Sequence, residues 1–130
     1  MDSVFKKLQW QGQDPIYVLR APSEFSSHME AMARETTIRT GPSCRGPFAF
    51  VLVFVKSCAD LSRLARRAVA CCGDGAILWF AYPKRTSTRY TSDLSRDEGW
   101  ETVEDLGYHA VRQVAIDDDW SALRFRHEDE

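Results

Sequence analysis

The sequence predicts an α/β domain with a mostly parallel sheet, and three observations support this fold class. Two near-continuous apolar runs, 48–55 and 76–82, have the composition of strands that are buried on both faces. Between them lies a segment with apolar residues at helical spacing, so the chain alternates strand, helix and strand. A chain of 130 residues has room for one such domain, and we expect an N-terminal arm at 1–14, an α/β core at 15–126 and an acidic tail at 127–130.

The first half of the chain predicts short helices that alternate with short strands. Ser23 follows Pro22 and has the side chain of a typical N-cap. After it, Phe25, Met29 and Met32 recur at helical spacing. The elements expected here, in order, are a helix over 3–10, a strand over 16–19, a helix over 23–34 and a strand over 36–40.

The second half contains two predicted helix starts and a terminal hairpin. Ser57 with Asp60 is a variant of the capping box, and Ser95 with Glu98 fits the box itself. Glycines are expected to end both helices, the first at 73–75 and the second at Gly107. The strands expected in this half cover 48–55, 76–82, 110–116 and 120–126, with residues 117–119 as the hairpin turn.

This order of elements predicts a small three-layer Rossmann-like domain with a sheet of about six strands. Right-handed crossovers make most of the sheet parallel, and the hairpin adds an antiparallel end. The topology resembles the class I methyltransferase variant of this architecture. The turn at 19–24, however, contains no glycine, and Pro22 removes an amide donor. We therefore predict no cofactor, and expect neither S-adenosylmethionine nor a dinucleotide to bind there in the usual way.

Four segments of the second half carry a likeness to known proteins: 78–84, 91–97, 111–117 and 120–125. They resemble a family of small bacterial proteins, catalogued as domain of unknown function 3052, and the likeness is strongest between 48 and 126. The resemblance implies a bacterial source and a small Rossmann-like domain. It implies no activity and no catalytic residues.

Charge and composition exclude several classes of function. The 17 basic and 19 acidic side chains give a net charge of −2, which argues against a nucleic-acid partner. No apolar run is long enough for a membrane span, and the first residues lack the apolar core of a signal peptide. We therefore expect a cytoplasmic protein without a metal site, in which four cysteines are free thiols: Cys44, Cys58, Cys71 and Cys72.

The basic loop that leaves the strand at 76–82 supplies the first candidate site. Lys84, Arg85 and Arg89 lie at the carboxyl edge of the sheet, where the acidic hairpin turn is also expected. Two interpretations stay open. These cations bind an anionic ligand, or they pair with the acids of the turn: Asp117, Asp118 and Asp119.

Two aromatic residues extend this candidate site. Tyr82 and Trp120 flank the same edge, where they form an aromatic wall for a small ligand or cap the core. The predicted ligand-binding set is therefore Tyr82, Lys84, Arg85, Asp117 and Trp120.

Cys58 is the candidate reactive thiol. It follows Ser57 at a predicted helix start and lies close to Lys56, and both features lower a thiol pKa. The alternative is an ordinary packed cysteine, because none of the three histidines lies near it in the sequence.

The leading interpretation is a module that binds a small ligand or a protein partner without catalysis. The alternative is a degenerate methyltransferase-like enzyme, or another small-molecule enzyme, acting at the carboxyl edge. Self-association is a third hypothesis, because exposed sheet edges and the helix at 23–34 offer a surface for a homodimer.

Overall fold

A computed structural model describes residues 1–43 and 45–130, so the thiol predicted at Cys44 lies outside the described residues. The fold is the predicted α/β domain, with a mixed six-stranded sheet in the order β2-β1-β3-β4-β6-β5. The strands are β1 Ile16–Leu19, β2 Ile38–Arg39, β3 Phe48–Phe54, β4 Cys72–Pro83, β5 Tyr108–Ala115 and β6 Trp120–His127. The helices are α1 Ser3–Lys7, α2 Ser26–Ala33, α3 Cys58–Ala70 and α4 Glu101–Glu104, and a 3₁₀ turn at Ser23–Phe25 precedes α2.

The sheet is parallel from β2 to β4 and antiparallel from β4 through β6 to β5, as predicted. Helices cover both of its faces. On one face, α3 and α4 pack against side chains such as Val51 and Phe80. On the other face, α1 and α2 pack against side chains such as Phe50 and Trp79. Because neighbouring residues of a strand point to opposite faces, one continuous apolar run supplies both cores.

The prediction that Ser57 is the N-cap of α3 is confirmed. The Ser57 hydroxyl accepts a hydrogen bond from the Asp60 backbone N–H at 3.1 Å. The Asp60 carboxylate does not complete a capping box, since it accepts instead from the Lys56 N–H at 2.9 Å. The acid therefore fixes the end of β3 against the first turn of α3.

The predicted start of the last helix is wrong. This helix is only Glu101–Glu104, and the N-cap position is Trp100 rather than Ser95. Residues 95–98 instead form a turn, in which the Ser95 N–H bonds to the Glu98 carbonyl at 3.2 Å. Gly99 then adopts a φ of +99°, a conformation outside any α-helix.

Several further boundaries differ from the prediction. Ser23 begins the 3₁₀ turn, whose N-cap is Pro22, and therefore does not cap the helix. The strand β2 has two residues, fewer than expected. The predicted turn at 73–75 lies inside β4, where the chain bulges, because Phe48 pairs with Cys72 but Phe50 pairs with Ile77.

The terminal hairpin matches the prediction. In its turn, one oxygen of Asp117 accepts the backbone N–H groups of Asp119 and Trp120, each at 2.8 Å. Asp117 is thereby a turn-forming residue. Among the described residues, no helix is long and apolar enough to cross a membrane.

Candidate functional site

The carboxyl ends of β1, β3 and β4 meet at one edge of the sheet, and the turn before β6 joins them there. The strand order reverses between β1 and β3, which is where ligands of open α/β sheets bind. Two cavities open at this edge, one on each face of the sheet.

The first cavity lies beside the turn after β1 and has a volume of about 490 Å³. Its apolar wall includes Val18 and Met29. Polar groups come from the turn after β1, from the 3₁₀ turn, from α2 and from the residue after β2, and they include Arg20, Ser23, Ser26, Glu30 and Thr40. A carboxylate, a guanidinium and several hydroxyls thus surround an apolar floor.

The turn beneath the first cavity has an unusual backbone. Arg20 adopts a φ of +63°, the left-handed conformation that favours glycine, although it carries a long side chain. Its guanidinium contributes to the low pKa of Asp60: burial raises this pKa, but the Lys56 N–H, Arg63 and the charge of Arg20 outweigh it. The turn therefore presents a cation and a proline, rather than bare amides, to the cavity.

The second cavity lies on the face covered by α3 and α4 and has a volume of about 370 Å³. Tyr82 lies at its base with 3% of its surface exposed. The Tyr82 hydroxyl accepts a hydrogen bond from the Gln113 side-chain amide at 2.8 Å. Burial raises the Tyr82 pKa, so the phenol stays protonated at neutral pH. Lys84, Arg85, Ser95 and Arg96 contribute to the rim.

The structure brings together three of the predicted ligand-binding residues and separates the other two. Tyr82, Lys84 and Arg85 line the second cavity. Trp120 belongs to the opposite face, where its ring packs at 5.2 Å from Phe54. The predicted aromatic wall is therefore wrong: Trp120 pairs with Pro83, the neighbour of Tyr82, and so falls on the other side of the pleat. The fifth residue, Asp117, is held in the hairpin turn.

The cations of the basic loop differ in which interpretation they fit, anion binding or pairing with the acidic turn. Arg89 lies 3.6 Å from Glu24 and 3.8 Å from Asp119, so it pairs with an acid of the hairpin turn. Arg85 instead pairs with Glu98 at 3.5 Å, where both side chains are exposed. Among the described residues, the Lys84 ammonium has no ion pair, which leaves it available at the second cavity.

Sequence reasoning missed a polar network centred on Glu24. One oxygen of Glu24 accepts the Tyr90 hydroxyl at 2.5 Å and the Trp120 indole N–H at 3.0 Å. Arg89 lies beside the other oxygen. Burial raises the Glu24 pKa, but these hydrogen bonds and the Arg89 charge bring it below its ordinary value. The Lys56 ammonium lies 5.1 Å from the centre of the Tyr90 ring.

This network ties the loop after β4 to the turn after β1. Its members lie far apart in the chain: Tyr90 is 66 residues from Glu24, and Trp120 is 96 residues from it. The local sequence feature that points to this network is Glu24 itself, an acidic residue at a predicted helix start. Tyr90 and Trp120, whose rings lie 5.1 Å apart, pack together in the core on the face that carries α1 and α2.

The reactive thiol predicted at Cys58 is contradicted. Burial raises the Cys58 pKa, and Asp93 and Glu101 raise it further through their charges. The Cys58 backbone N–H donates to the Asp93 carboxylate at 2.8 Å, which holds this negative charge beside the thiol. Burial and these acids together keep the Cys58 pKa above its ordinary value, so Cys58 is a packed thiol. In the described part of the chain, no cluster of three ligating side chains is arranged to hold a metal.

Comparison with known proteins identifies the fold. No family model matches the chain, and no curated protein matches it. A magnesium protoporphyrin IX methyltransferase from Synechocystis, solved with bound SAH, matches with a TM-score of 0.66 and 9% identity, covering 97% of this chain and 82% of that one. The N-methyltransferase NodS from Bradyrhizobium japonicum matches with a TM-score of 0.59 and 11% identity, covering 95% and 92%. A ribosomal protein L11 methylase from Lactobacillus delbrueckii matches with a TM-score of 0.58 and 6% identity, covering 95% and 74%.

These likenesses show a Rossmann-like fold with methyltransferase topology. They also contradict the leading interpretation, a binding module without catalysis. The three solved structures named above are methyltransferases or methylases, and this is the finding that stands against that interpretation.

Proposed function

We propose that this protein is a methyltransferase-like enzyme that binds an S-adenosylmethionine-type donor in the first cavity. The observation that carries the proposal is the position of this cavity. It lies beside the turn after β1, next to the point where the strand order reverses in a fold shared with methyltransferases.

The lining of the first cavity suits a nucleoside bound by side chains. The Glu30 carboxylate and the Thr40 hydroxyl are suitable partners for the two hydroxyls of a ribose. Val18 and Met29 offer an apolar surface for an adenine ring. The Arg20 guanidinium suits the carboxylate of the amino-acid end.

The backbone of the turn fits such a donor less well than the side chains do. Pro22 has no N–H, and Arg20 and Ala21 carry a Cβ where a glycine would let the chain approach the ligand. The absence of the glycine-rich turn therefore does not exclude a nucleoside. It requires that side chains from α2 and β2 supply the contacts.

The bound donor would supply an electrophilic methyl group. The part played by this chain's own residues is to bind and to enclose. Glu24, in the 3₁₀ turn that borders this cavity, accepts hydrogen bonds from Tyr90 and Trp120 and thereby holds both rings beside that turn. We also propose, from the sequence segments described above, that the protein belongs to the bacterial family of unknown function 3052. We further propose that it acts in the cytoplasm.

Calorimetric titration with S-adenosylhomocysteine tests the proposal. The wild-type protein is expected to bind, and Glu30→Ala to bind about tenfold more weakly, because a charged hydrogen bond is lost. Glu104→Ala is the matched control, since Glu104 is an exposed acid on α4. No binding by the wild-type protein, or equal binding by Glu30→Ala, would overturn the proposal.

A further inference from the structure

The terminal hairpin places three arginines on one face of the sheet. Arg112 on β5 lies opposite Arg124 on β6. Arg126 lies two residues further along β6 and therefore points to the same side. Opposite side chains start about 5 Å apart, and side chains two positions apart on a strand start about 7 Å apart. Three guanidinium groups thus leave the sheet within one compact area, which we call the arginine cluster.

The arginine cluster lies on the face that carries α1, beyond the end of that helix. The Arg124 guanidinium donates a hydrogen bond to the side-chain oxygen of Gln9, just after α1, at 2.5 Å. Arg112 and Arg126 are exposed. The cluster is therefore open to solvent on one side and closed by the α1 end on the other.

The positive charge of the arginine cluster is not neutralised by direct ion pairs within the described residues. Among the described residues, none of the three arginines forms an ion pair. The Nε atom of Arg124 is buried without a hydrogen-bond partner, the single such side-chain atom in the described part of the chain. Burial lowers the Arg124 pKa, and the charge of Arg126 lowers it further. The charge of Glu130 opposes this shift, and the charge of Arg112 adds the smallest lowering effect.

Such an arrangement costs stability when nothing is bound. Like charges directly opposite on neighbouring strands repel, and a buried polar atom without a partner carries the free-energy cost of its lost hydration. An unsatisfied group of this kind calls for an explanation, of which a bound ion is one. Guanidinium groups are suited to phosphate, since they donate paired hydrogen bonds to its oxygens.

We propose that the arginine cluster binds a compact polyvalent anion, namely the diphosphate group of a small molecule. The close spacing of the three cations favours one compact group over an extended chain of phosphates. The net charge of −2 and the nearby Glu130 also disfavour a long polyanion. This site is separate from both cavities at the carboxyl edge and does not depend on the proposed methyltransferase-like activity.

Titration of the full chain with inorganic pyrophosphate tests this site. The double variant Arg112→Gln/Arg126→Gln is expected to bind at least about tenfold more weakly than the wild-type protein, because two charged contacts are lost. Arg34→Gln/Arg66→Gln is the matched control, since it removes two exposed arginines elsewhere and should bind as the wild-type protein does.

Thermal unfolding without pyrophosphate separates binding from a structural role. The Arg112→Gln/Arg126→Gln variant is expected to melt at the same temperature as the wild-type protein or above it, because repulsion is relieved. Equal pyrophosphate affinity in this variant and the wild-type protein would overturn the proposal. Tighter binding of a single-stranded oligonucleotide than of pyrophosphate, at matched phosphate concentration, would also overturn it.

Discussion

The two cavities at the carboxyl edge differ in what forms their walls. The first is built around one turn, with side chains from β1, α2 and the end of β2, all within residues 18–40. The second collects residues from β4, from the segment 95–98 and from the hairpin. One sheet edge provides both, because Val18 and Tyr82 lie on opposite faces of the sheet. A local turn can therefore create one site, while the other depends on contacts between distant segments.

The Glu24 network is the physical link between these cavities. Glu24 belongs to the 3₁₀ turn that borders the first cavity, and Tyr90 belongs to the loop that leads into the wall of the second. Changes at three positions test how far the two regions are independent.

The largest effect is expected for Gly99→Ala, which acts on the wall of the second cavity. A Cβ at Gly99 would lie 2.6 Å from a Leu94 methyl and 2.8 Å from the Cys58 sulfur, at a φ of +99°. We expect a loss of about 3 kcal/mol in the free energy of unfolding, from backbone strain and overpacking together. Urea denaturation measures this loss.

Gly75→Ala is the control for Gly99→Ala. Gly75 has a φ of +69°, but nothing lies within 4 Å of its added Cβ. This variant should therefore lose only about 1 kcal/mol, from backbone strain alone. Equal losses in the two variants would show that the packing around Gly99 is not what holds the 95–98 segment.

An intermediate effect is expected for Glu24→Ala, which cuts the link between the cavities. The Tyr90 hydroxyl and the Trp120 indole N–H would lose their acceptor, for a cost of about 2 kcal/mol at pH 7. The folded-state pKa of Glu24 lies below its ordinary value, so this stabilisation is present above the unfolded-state pKa. It is lost as the pH falls through the folded-state pKa.

Urea denaturation at several pH values checks the Glu24 prediction. The stability gap between the wild-type protein and Glu24→Ala should be largest near pH 7 and should shrink in acid. Glu104→Ala, at an exposed position, should show a small gap throughout. A gap for Glu24→Ala that stays constant with pH would contradict the assignment of the charged carboxylate to this network.

The smallest effect is expected for Tyr82→Phe, at the base of the second cavity. The variant removes the hydroxyl that accepts from Gln113 and should lose about 1 kcal/mol in the free energy of unfolding. Tyr108→Phe is the control, since Tyr108 is a phenol that is partly buried and packs against the same core. Because the cavities lie on opposite faces, S-adenosylhomocysteine affinity should not change in Tyr82→Phe. A change would mean that the two cavities communicate.

Local sequence determined the sheet and most of its order. The apolar runs that became β3 and β4 are too long and too apolar for exposed strands, so they had to lie in the centre of the sheet. Ser57 capped its helix because the signal and its partner, the Asp60 N–H, lie within one turn. The same local reasoning failed at Ser95, where the Trp100 indole N–H bonds to the Ser95 carbonyl at 2.7 Å and closes a loop instead.

The sites depended on tertiary structure. The sequence placed Tyr82, Lys84 and Arg85 at one edge, but the strand pleat decided that Trp120 would lie on the other face. No local pattern predicts that Glu24 holds Tyr90 and Trp120, because hydrogen bonds between distant residues leave no periodicity in the sequence. The arginine cluster likewise arises only from the register between β5 and β6. Hydrophobic periodicity thus determined which elements form and how they alternate. Strand register and packing decided which charged side chains meet, because those contacts exist only after the chain has folded.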